Sequence, residues 1–280
     1  MYRLTKSPGG STMADLPQLR TNTTKRKLHA GECVFGVFVP IPSPRIVEFC
    51  ALAGFDYVII DAEHGPIDVE ACEGMVRAAE AFDITPIVRV PENAEKTILR
   101  YLDVGAQGVM VPQVNTRDDA ERAIRAVKYA PLGQRGLASA RAAAYGQRMA
   151  LPAYTRHANQ ETILLIQIEN VVALKHLQDM LTLDAIDVFE LGTADLSQSL
   201  GFPGETGHPE VKKVVDEIVK QILGAGRVVG DTLNDPSAVA AALERGFRKI
   251  DCSYVGVTIK ALATLNEKMR AAAPASRGGG

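Results

Sequence analysis

The sequence is poor in net charge and in cysteine. Its 280 residues carry 31 lysine and arginine residues against 33 aspartate and glutamate residues, which gives a formal net charge of −2. No basic cluster interleaved with aromatic side chains is present to track phosphates, so we expect no nucleic-acid partner. Cys33, Cys50, Cys72 and Cys252 show no C-x-x-C spacing, and three of them lie within apolar patterns. They are therefore expected to be reduced core thiols, as in a cytoplasmic protein.

Long hydrophobic runs are also missing. No uninterrupted apolar stretch approaches the roughly 18 residues that cross a bilayer, and the N-terminus lacks the apolar segment of a signal peptide. We therefore expect neither membrane insertion nor export. Residues 1–15 and 273–280 are rich in glycine, serine and proline and are predicted to be a disordered extension and a flexible tail. A single domain is expected over residues 16–272.

What the chain does contain is a repeated alternation of short apolar runs and segments of helical spacing. The runs predict eight strands at a spacing of roughly 25 to 30 residues. They are VFGVFV from residue 34, YVIID from 57, TPIVRV from 85, GVMVP from 108, TILLIQIE from 162, IDVFEL from 186, RVVG from 227 and RKIDC from 248. Near-continuous apolar strands are typical of a parallel sheet covered on both faces.

Several helices between these strands have recognisable ends. Ser43-Pro44 opens one helix, Thr116 can cap another, and Asp235-Pro236 opens a third that Gly246 ends. The pattern predicts an α/β fold, a (β/α)₈ TIM barrel with a short N-terminal helix. A doubly wound open sheet is the alternative, but no G-x-G-x-x-G motif follows the first strand.

Polar residues collect at one end of the predicted strands. In a parallel barrel the C-terminal strand ends and the loops after them form the active-site rim. The rim residues are Asp61, Glu63 and His64 after strand 2, Arg89 in strand 3, Gln167 and Glu169 at the end of strand 5, and Asp195 after strand 6. The opposite strand ends carry mainly turn residues. This asymmetry predicts a functional site at the C-terminal end.

Glu169 and Asp195 follow consecutive strands, so their carboxylates can converge above the barrel. Two carboxylates without a neighbouring cysteine or histidine suit a hard divalent cation such as Mg²⁺ or Mn²⁺. The alternative is that both residues are caps or members of surface ion pairs. With Gln167, Arg89 and His64 expected on the same rim, the pattern favours a metal site.

His64 and Arg89 are the other candidates for chemistry. Asp61 lies three residues before His64, close enough to hold one ring nitrogen and make the other a general base. The alternative is a loop histidine that is hydrogen-bonded for structural reasons. Arg89 lies in an otherwise apolar strand, where its cation either pairs with a carboxylate or faces an anionic substrate oxygen.

These motifs together resemble a known family. The segments IIDAEHGP, PIVRVPEN, LDVGAQGVMVPQV, YAPLGQRG, LLIQIEN, GTADLSQSLG and HPEV follow one another as in the class II pyruvate aldolases of the HpcH/HpaI family. The resemblance covers roughly residues 25 to 265. It implies a TIM barrel, usually hexameric, whose last helix is exchanged between neighbouring subunits. A trimer is the other oligomer considered.

The resemblance also implies a reaction. A 4-hydroxy-2-oxo acid would be cleaved reversibly to pyruvate and an aldehyde, with Mg²⁺, Mn²⁺ or Co²⁺ as cofactor. The implied roles are metal binding by Glu169 and Asp195, placement of pyruvate by Gln167, enolate stabilisation by Arg89, a base dyad of His64 and Asp61, and a pyruvate carboxylate cradle of main-chain groups around Gly192, Thr193, Ala194 and Asp195. A Schiff-base route would need a lysine at a strand's C-terminal end, and the rim segments have none.

Three departures from the family pattern concern the substrate pocket. Thr193 replaces a frequent proline, Phe38 stands where tryptophan is common, and Asp231 with Thr232 follows strand 7 where glycine and apolar residues are usual. They leave the aldehyde open, and the role of the loop 133–146 is open as well. A lyase of 3-hydroxyacyl-CoA thioesters and a non-catalytic 2-oxo-acid binding protein are the alternative functions.

Overall fold

Eight parallel strands close into a barrel in the order β1-β2-β3-β4-β5-β6-β7-β8, with β8 pairing back to β1. The computed structural model describes residues 19–273. This closure confirms the predicted (β/α)₈ barrel, and the open sheet considered as the alternative is wrong. The predicted N-terminal extension, residues 1–15, lies outside the described residues, as does all of the predicted tail beyond residue 273.

Strands and helices alternate along the chain after a first short helix. The strands are β1 Val34–Val39, β2 Tyr57–Asp61, β3 Thr85–Arg89, β4 Gly108–Val111, β5 Ile163–Ile168, β6 Val188–Leu191, β7 Val229–Thr232 and β8 Lys249–Ser253. The helices are α1 Thr23–His29, α2 Pro44–Leu52, α3 Val69–Ala81, α4 Glu95–Asp103, α5 Arg117–Val127, α6 Leu151–Glu161, α7 Val171–Leu181, α8 Thr193–Ser199, α9 Pro209–Gly224, α10 Val239–Glu244 and α11 Tyr254–Ala272.

The helix boundaries follow from local capping chemistry. Thr116 accepts a hydrogen bond from the backbone N–H of Asp119, whose side chain accepts from the Thr116 backbone in return, which is a capping box. The helix predicted after Asp235 is divided. A 3₁₀ turn at Pro236–Ala238 precedes α10, and Asp235 accepts from the backbone N–H of Ser237. The helices therefore begin where the sequence predicts, except that the segment after Asp235 starts with a 3₁₀ turn.

Side chains are buried on both faces of the sheet, in two separate clusters. On β2, Val58 and Ile60 belong to the large core shared with the helices, whereas Ile59 belongs to a second cluster with Ile87 and Met110. This division is the two-residue alternation of a strand whose two faces are both buried. The second cluster fills the barrel interior below the C-terminal end.

One side of the barrel interior is ionic. Lys249 Nζ lies 2.7 Å from Glu190 Oε2 and also contacts the Asp251 carboxylate. Tyr57 donates its hydroxyl hydrogen to Asp251 and lies within hydrogen-bond distance of the Ile250 carbonyl oxygen. We call Tyr57, Glu190, Lys249 and Asp251 the interior ionic cluster; each is 1% exposed or less. Such a cluster is tolerable only because each charge has an opposite partner.

Two glycines make room for this cluster. A Cβ at Gly36 would lie 2.1 Å from the ring of Tyr57, and a Cβ at Gly230 would lie 2.1 Å from Glu190 Oε2. Real Cβ atoms do not approach other heavy atoms so closely. Strands β1 and β7 therefore omit a side chain where β2 and β6 project a large one into the barrel.

The last helix extends away from its own barrel. No residue of α11 is buried, and apolar side chains on it are largely exposed: Ile259 62%, Leu262 60%, Leu265 54% and Met269 65%. The predicted exchange of this helix between subunits stays a prediction. No helix within residues 19–273 combines the length and the apolar character needed to span a membrane.

We predict that Gly36→Ala destabilises the protein. The new methyl group would overlap the Tyr57 ring, and overpacking of a dense interior costs about 1–3 kcal/mol. Chemical denaturation of the variant should show a lower midpoint than the wild type.

Gly224→Ala provides the matched control. Nothing lies within 4 Å of the position its Cβ would take at the end of α9, so its midpoint should match or slightly exceed that of the wild type. A wild-type midpoint for Gly36→Ala would contradict the account of the barrel interior.

Candidate active site at the C-terminal end of the barrel

Arg89 and Asp61 form the central ion pair of the rim. The two residues are register partners at the last positions of β3 and β2. Arg89 donates from Nε to Asp61 Oδ1 at 2.9 Å and from Nη2 to Oδ2 at 2.6 Å. Their side chains are 12% and 5% exposed. This two-point contact fixes the plane of the guanidinium group.

Two further residues surround the Arg89 guanidinium. Glu63 Oε2 lies 3.3 Å from Nη1, and the ring of Phe38 lies 4.9 Å below the guanidinium carbon. Burial lowers the pKa of Arg89, but the hydrogen bonds and the charge of Asp61 outweigh it and raise the pKa above its ordinary value. Arg89 is therefore a permanent cation held in one position beside the cavity.

His64 lies on the same rim and points to solvent. Its ring is 64% exposed, and Nε2 lies 4.0 Å from Glu63 Oε2. Asp61 Oδ1 accepts hydrogen bonds from the backbone N–H groups of Glu63 and His64, at 3.3 and 3.2 Å. In this structure Asp61 therefore holds the His64 backbone and Arg89, and the predicted contact of Asp61 with the His64 ring stays a prediction.

Glu169 follows β5 and is 2% exposed. Its Oε1 accepts from the backbone N–H of Gln113 at 2.6 Å, and its Oε2 accepts from Gln167 Nε2 at 3.1 Å. Gln113 has a φ of 54°, the left-handed region, which aims its N–H at the carboxylate. Burial raises the pKa of Glu169 to about 7, the Gln113 hydrogen bond opposes this, and the charges of Glu63 and Asp195 add to the increase.

Asp195 lies in the first turn of α8, directly after the segment Gly192–Ala194. A Cβ at Gly192 would lie 2.4 Å from Glu169 Cβ and 2.6 Å from Glu169 Oε2. Glycine is therefore required for the chain to pass Glu169 and bring Asp195 to the same side of the barrel.

A cavity of about 220 Å³ opens at this end of the barrel. All the predicted rim and substrate residues line it except Asp61, Glu63 and Glu169. Asp61 and Glu63 contact the lining residue Arg89, and Glu169 contacts the lining residue Gln167. The fold thus brings the candidates from five strands to one place. Asp231 and Thr232, whose role was open, also line this cavity.

The charges of the rim fit a divalent cation. Arg89 is ion-paired with Asp61 and Glu63 and also feels the charge of Glu169. The charges of Glu63 and Asp195 raise the pKa of Glu169, so the rim carries more carboxylates than this arginine balances. The buried Oε1 of Gln167 has no hydrogen-bond partner among residues 19–273. Within the same residues no three His, Cys, Asp or Glu side chains are grouped to hold a metal, and the predicted ligand pair Glu169 and Asp195 stays a prediction.

Some residues of the cavity escape prediction from sequence. Glu190 lines the cavity from the middle of β6, a position that reads as one polar residue in an apolar strand. Lys249 and Asp251 lie two residues apart in β8 and so point to the same face. That charged alternation in an otherwise buried strand is the signal that would have predicted the interior ionic cluster.

The loop 133–146, whose role the sequence does not decide, lines a different cavity. This cavity, of about 620 Å³, includes Gln107 and Thr162, which precede β4 and β5, so it lies toward the N-terminal end of the barrel. Arg135 donates to Asp103 at 2.9 Å, and Arg141 binds Glu80. The larger volume does not make it the better active site, because none of the predicted rim residues lines it.

Comparison with known proteins shows which family the chain is similar to. The family model described as HpcH/HpaI aldolase/citrate lyase matches residues 34–263. A hydroxypyruvate/pyruvate aldolase of Roseobacter denitrificans is 36% identical over 247 residues, 88% of this chain and 93% of that protein. A 2-keto-3-deoxy-L-rhamnonate aldolase of Salmonella gallinarum is 34% identical over 230 residues, 81% of this chain and 85% of that protein.

A solved structure shares the fold over nearly the whole described region. The crystal structure of an HpcH/HpaI aldolase/citrate lyase family protein from Burkholderia cenocepacia superposes with a TM-score of 0.84 at 31% identity, covering 89% of this chain and 100% of that chain. The barrel, its rim and the named relatives define an enzyme of the aldolase class, a carbon–carbon lyase. The chain belongs to the HpcH/HpaI aldolase/citrate lyase family, which confirms the resemblance seen in the sequence.

We predict a pH-dependent stability effect of Glu169 in the metal-free protein. Because the folded-state pKa of about 7 exceeds the ordinary value of 4.5, the folded protein holds a proton that the unfolded chain releases. This stabilisation is complete below about pH 4.5 and is lost as the pH rises through about 7. Glu169→Gln has no such proton, so its unfolding free energy relative to the wild type should increase over this interval and then level off.

Denaturation across this pH range in the presence of a chelator measures the effect. Glu95→Gln is the matched control for replacing a carboxyl group with an amide, because Glu95 has a 55% exposed side chain in the first turn of α4; the curve of Glu169→Gln is compared with that of this variant. Parallel pH curves for Glu169→Gln and the wild type would contradict the prediction.

Proposed function

We propose that this protein is a divalent-metal-dependent pyruvate aldolase. It would reversibly cleave a 4-hydroxy-2-oxo acid between C3 and C4, giving pyruvate and an aldehyde through the enolate of pyruvate. The observation that carries the proposal is the permanent cation Arg89, fixed by Asp61 within the same cavity lining as Gln167 and Asp195, with Glu169 directly behind Gln167. Cation and carboxylates together suit a reaction that develops an oxyanion.

Membership of the family implies a divalent metal cofactor. We propose Glu169 and Asp195 as its protein ligands, and Mg²⁺, Mn²⁺ or Co²⁺ as the ion. Two carboxylates leave positions for substrate oxygens and water, as hard divalent cations require. When bound, the ion supplies Lewis acidity that withdraws negative charge from the keto oxygen of the substrate.

The residues around that position have distinct roles in this proposal. Arg89 stabilises the enolate oxygen with a charge that needs no reorganisation, because Asp61 already holds its guanidinium group. Gln167 orients pyruvate next to Glu169. The main-chain groups of Gly192, Thr193 and Ala194 contact the pyruvate carboxylate.

His64 is the proposed general base. In the cleavage direction it takes the proton of the C4 hydroxyl, directly or through a water molecule, and in the reverse direction it returns that proton. The exposed ring is free to reorient toward substrate, while the hydrogen bond from its backbone N–H to Asp61 keeps the residue on the rim. Asp61 therefore supports both His64 and Arg89.

The alternative functions are not favoured. The named relatives are aldolases. A lyase of CoA thioesters needs cations for the nucleotide phosphates, and the arginine that lines the cavity is already paired with Asp61 and Glu63. A binding protein without turnover would not need the base His64 in addition to the carboxylates.

We also propose a homo-oligomer, a trimer or hexamer, in which α11 packs on a neighbouring subunit. Support comes from the exposed apolar side chains of α11, which its own barrel does not cover. The four cysteines are free thiols, which suits a reducing cytoplasm. The small-molecule partners in this proposal are 2-oxo acids and aldehydes.

Proton exchange tests the proposed reaction without requiring the aldehyde. Chelator-stripped protein is incubated with pyruvate in D₂O, with and without Mg²⁺, Mn²⁺ or Co²⁺, and the methyl proton signal is followed by NMR. We expect metal-dependent exchange that falls at least about 100-fold in Arg89→Ala and Glu169→Ala, because each removes stabilisation of the developing oxyanion.

Two matched variants control for the change of charge alone. Arg77→Ala and Glu95→Ala remove exposed ion-pair members on α3 and α4 and should exchange at the wild-type rate. Wild-type exchange in Arg89→Ala, or exchange that no metal accelerates, would sink the proposal.

The proposed subunit contact has its own test. Ile259→Glu together with Leu262→Glu places two carboxylates on the apolar face of α11, so the oligomer should dissociate, as measured by sedimentation or light scattering. Thr264→Glu, an exposed position on another face of the helix, should leave the assembly intact. An unchanged mass for the double variant would refute the packing of α11.

A further inference from the structure

We propose that Glu190 and Thr232, together with Asp231, form the aldehyde-binding wall and select an uncharged, hydroxylated aldehyde over one that carries a carboxylate. This inference rests on the proposed aldolase function and adds the class of its second substrate. All three residues line the cavity that holds the rim residues.

Glu190 is placed next to the residues assigned to pyruvate. It is the register partner of Gln167 on the neighbouring strand β5, and Gln167 contacts Glu169 at 3.1 Å. A group bound at Glu190 therefore lies one strand away from the pyruvate position. We place the aldehyde fragment of a 4-hydroxy-2-oxo acid on this side of the pyruvate position, because Glu190 and Thr232 line the same cavity as Gln167.

One oxygen of the Glu190 carboxyl group is without a partner. Oε2 is ion-paired with Lys249 Nζ at 2.7 Å, whereas Oε1 has no hydrogen-bond partner within residues 19–273. The residue is only 1% exposed. A buried polar group at the wall of a cavity and without a partner costs free energy, and a bound hydroxyl group would remove that cost.

The neighbouring strand β7 leaves space for this carboxyl group, because it has a glycine beside Glu190. Gly230 is the register partner of Glu190 on β7, and any Cβ there would lie 2.1 Å from Glu190 Oε2. Lys249 extends from β8 to the same point and is shared with Asp251. Three strands are therefore arranged around the position of Glu190.

The chemistry of Glu190 suits a hydroxyl group in either protonation state. Burial raises the pKa of Glu190 well above its ordinary range, and the charge of Lys249 opposes this. A carboxylate accepts hydrogen bonds, and a protonated carboxyl group can also donate one. The hydroxyl group of Thr232, on the neighbouring strand β7, can donate and accept a hydrogen bond. The two residues therefore complement the hydroxyl groups of a polyol.

A carboxylate on the aldehyde would find no cation on this wall. Asp231 adds a second carboxyl group, whose pKa burial raises to about 6, and no cation. Lys249 is 1% exposed and already faces Glu190 and Asp251. Arg89 is paired with Asp61 and Glu63 and is assigned to pyruvate. An anionic aldehyde would therefore be repelled and left unpaired.

The test compares aldehydes in the aldol addition direction with pyruvate and metal. Glyceraldehyde and propanal have the same carbon chain with and without hydroxyl groups, and succinic semialdehyde carries a carboxylate. For the wild type, kcat/KM should be about tenfold or more higher for glyceraldehyde than for either of the others. The ratio of two aldehydes on one protein cancels effects on the pyruvate half of the reaction.

Variants assign this preference to the wall. The glyceraldehyde-to-propanal ratio should fall about three- to tenfold in Glu190→Leu and in Thr232→Val, since each removes one hydrogen-bonding group. Glu190→Gln keeps a hydrogen-bonding group of the same shape and should retain most of the preference. Thr155→Val on α6, outside the cavity, is the control for loss of a hydroxyl group and should match the wild type.

Each outcome decides a separate claim. A wild type that prefers succinic semialdehyde, or a ratio unchanged in both Glu190→Leu and Thr232→Val, would overturn the inference. If Glu190→Leu does not fold, Thr232→Val alone decides. Pyruvate exchange with normal aldol addition but no hydroxyl preference rejects the wall and leaves the proposed function intact. A wild type that neither exchanges pyruvate protons nor condenses with any aldehyde rejects both.

Discussion

The ion pair of Arg89 and Asp61 exists because β2 and β3 end in register, with these two residues as direct partners. A slip of one residue between the strands would turn one of the side chains toward the helices and leave a buried charge unpaired, at a cost of several kcal/mol. The same carboxylate also accepts from the backbone of Glu63 and His64. The pairing of β2 with β3 therefore determines three things: the position of the Arg89 cation, the path of the loop after β2 and the location of His64.

Much of the fold and most of the site were predictable from sequence, for a physical reason. Parallel strands with two buried faces must be apolar, so the eight runs stand out in the sequence. A polar residue at the end of such a strand costs free energy unless it is paired or binds a ligand, so it marks a candidate site. Arg89 and Glu169 were visible in this way. The contact of Arg89 with Asp61 also follows from adjacent strands, although the sequence equally allowed Asp61 to hold the His64 ring.

What the sequence did not disclose depends on contacts between distant segments. The hydrogen bond from Gln113 to Glu169 requires a left-handed residue in the loop after β4, and no local pattern announces it. Glu190 reads as an isolated polar residue until the pairing of β6, β7 and β8 brings Lys249 to it. Closure between β8 and β1 is the most non-local contact of the fold, and it brings Asp251 to Tyr57.

The absence of a side chain at Gly230 constrains which residues can occupy position 190. A Cβ there would overlap Glu190 Oε2 and Lys249 Cδ, so a larger residue would force one of these buried side chains to move. The residues at positions 190 and 230 are therefore expected to covary among homologous barrels. The identity of this pair would then indicate which relatives share the same pocket wall.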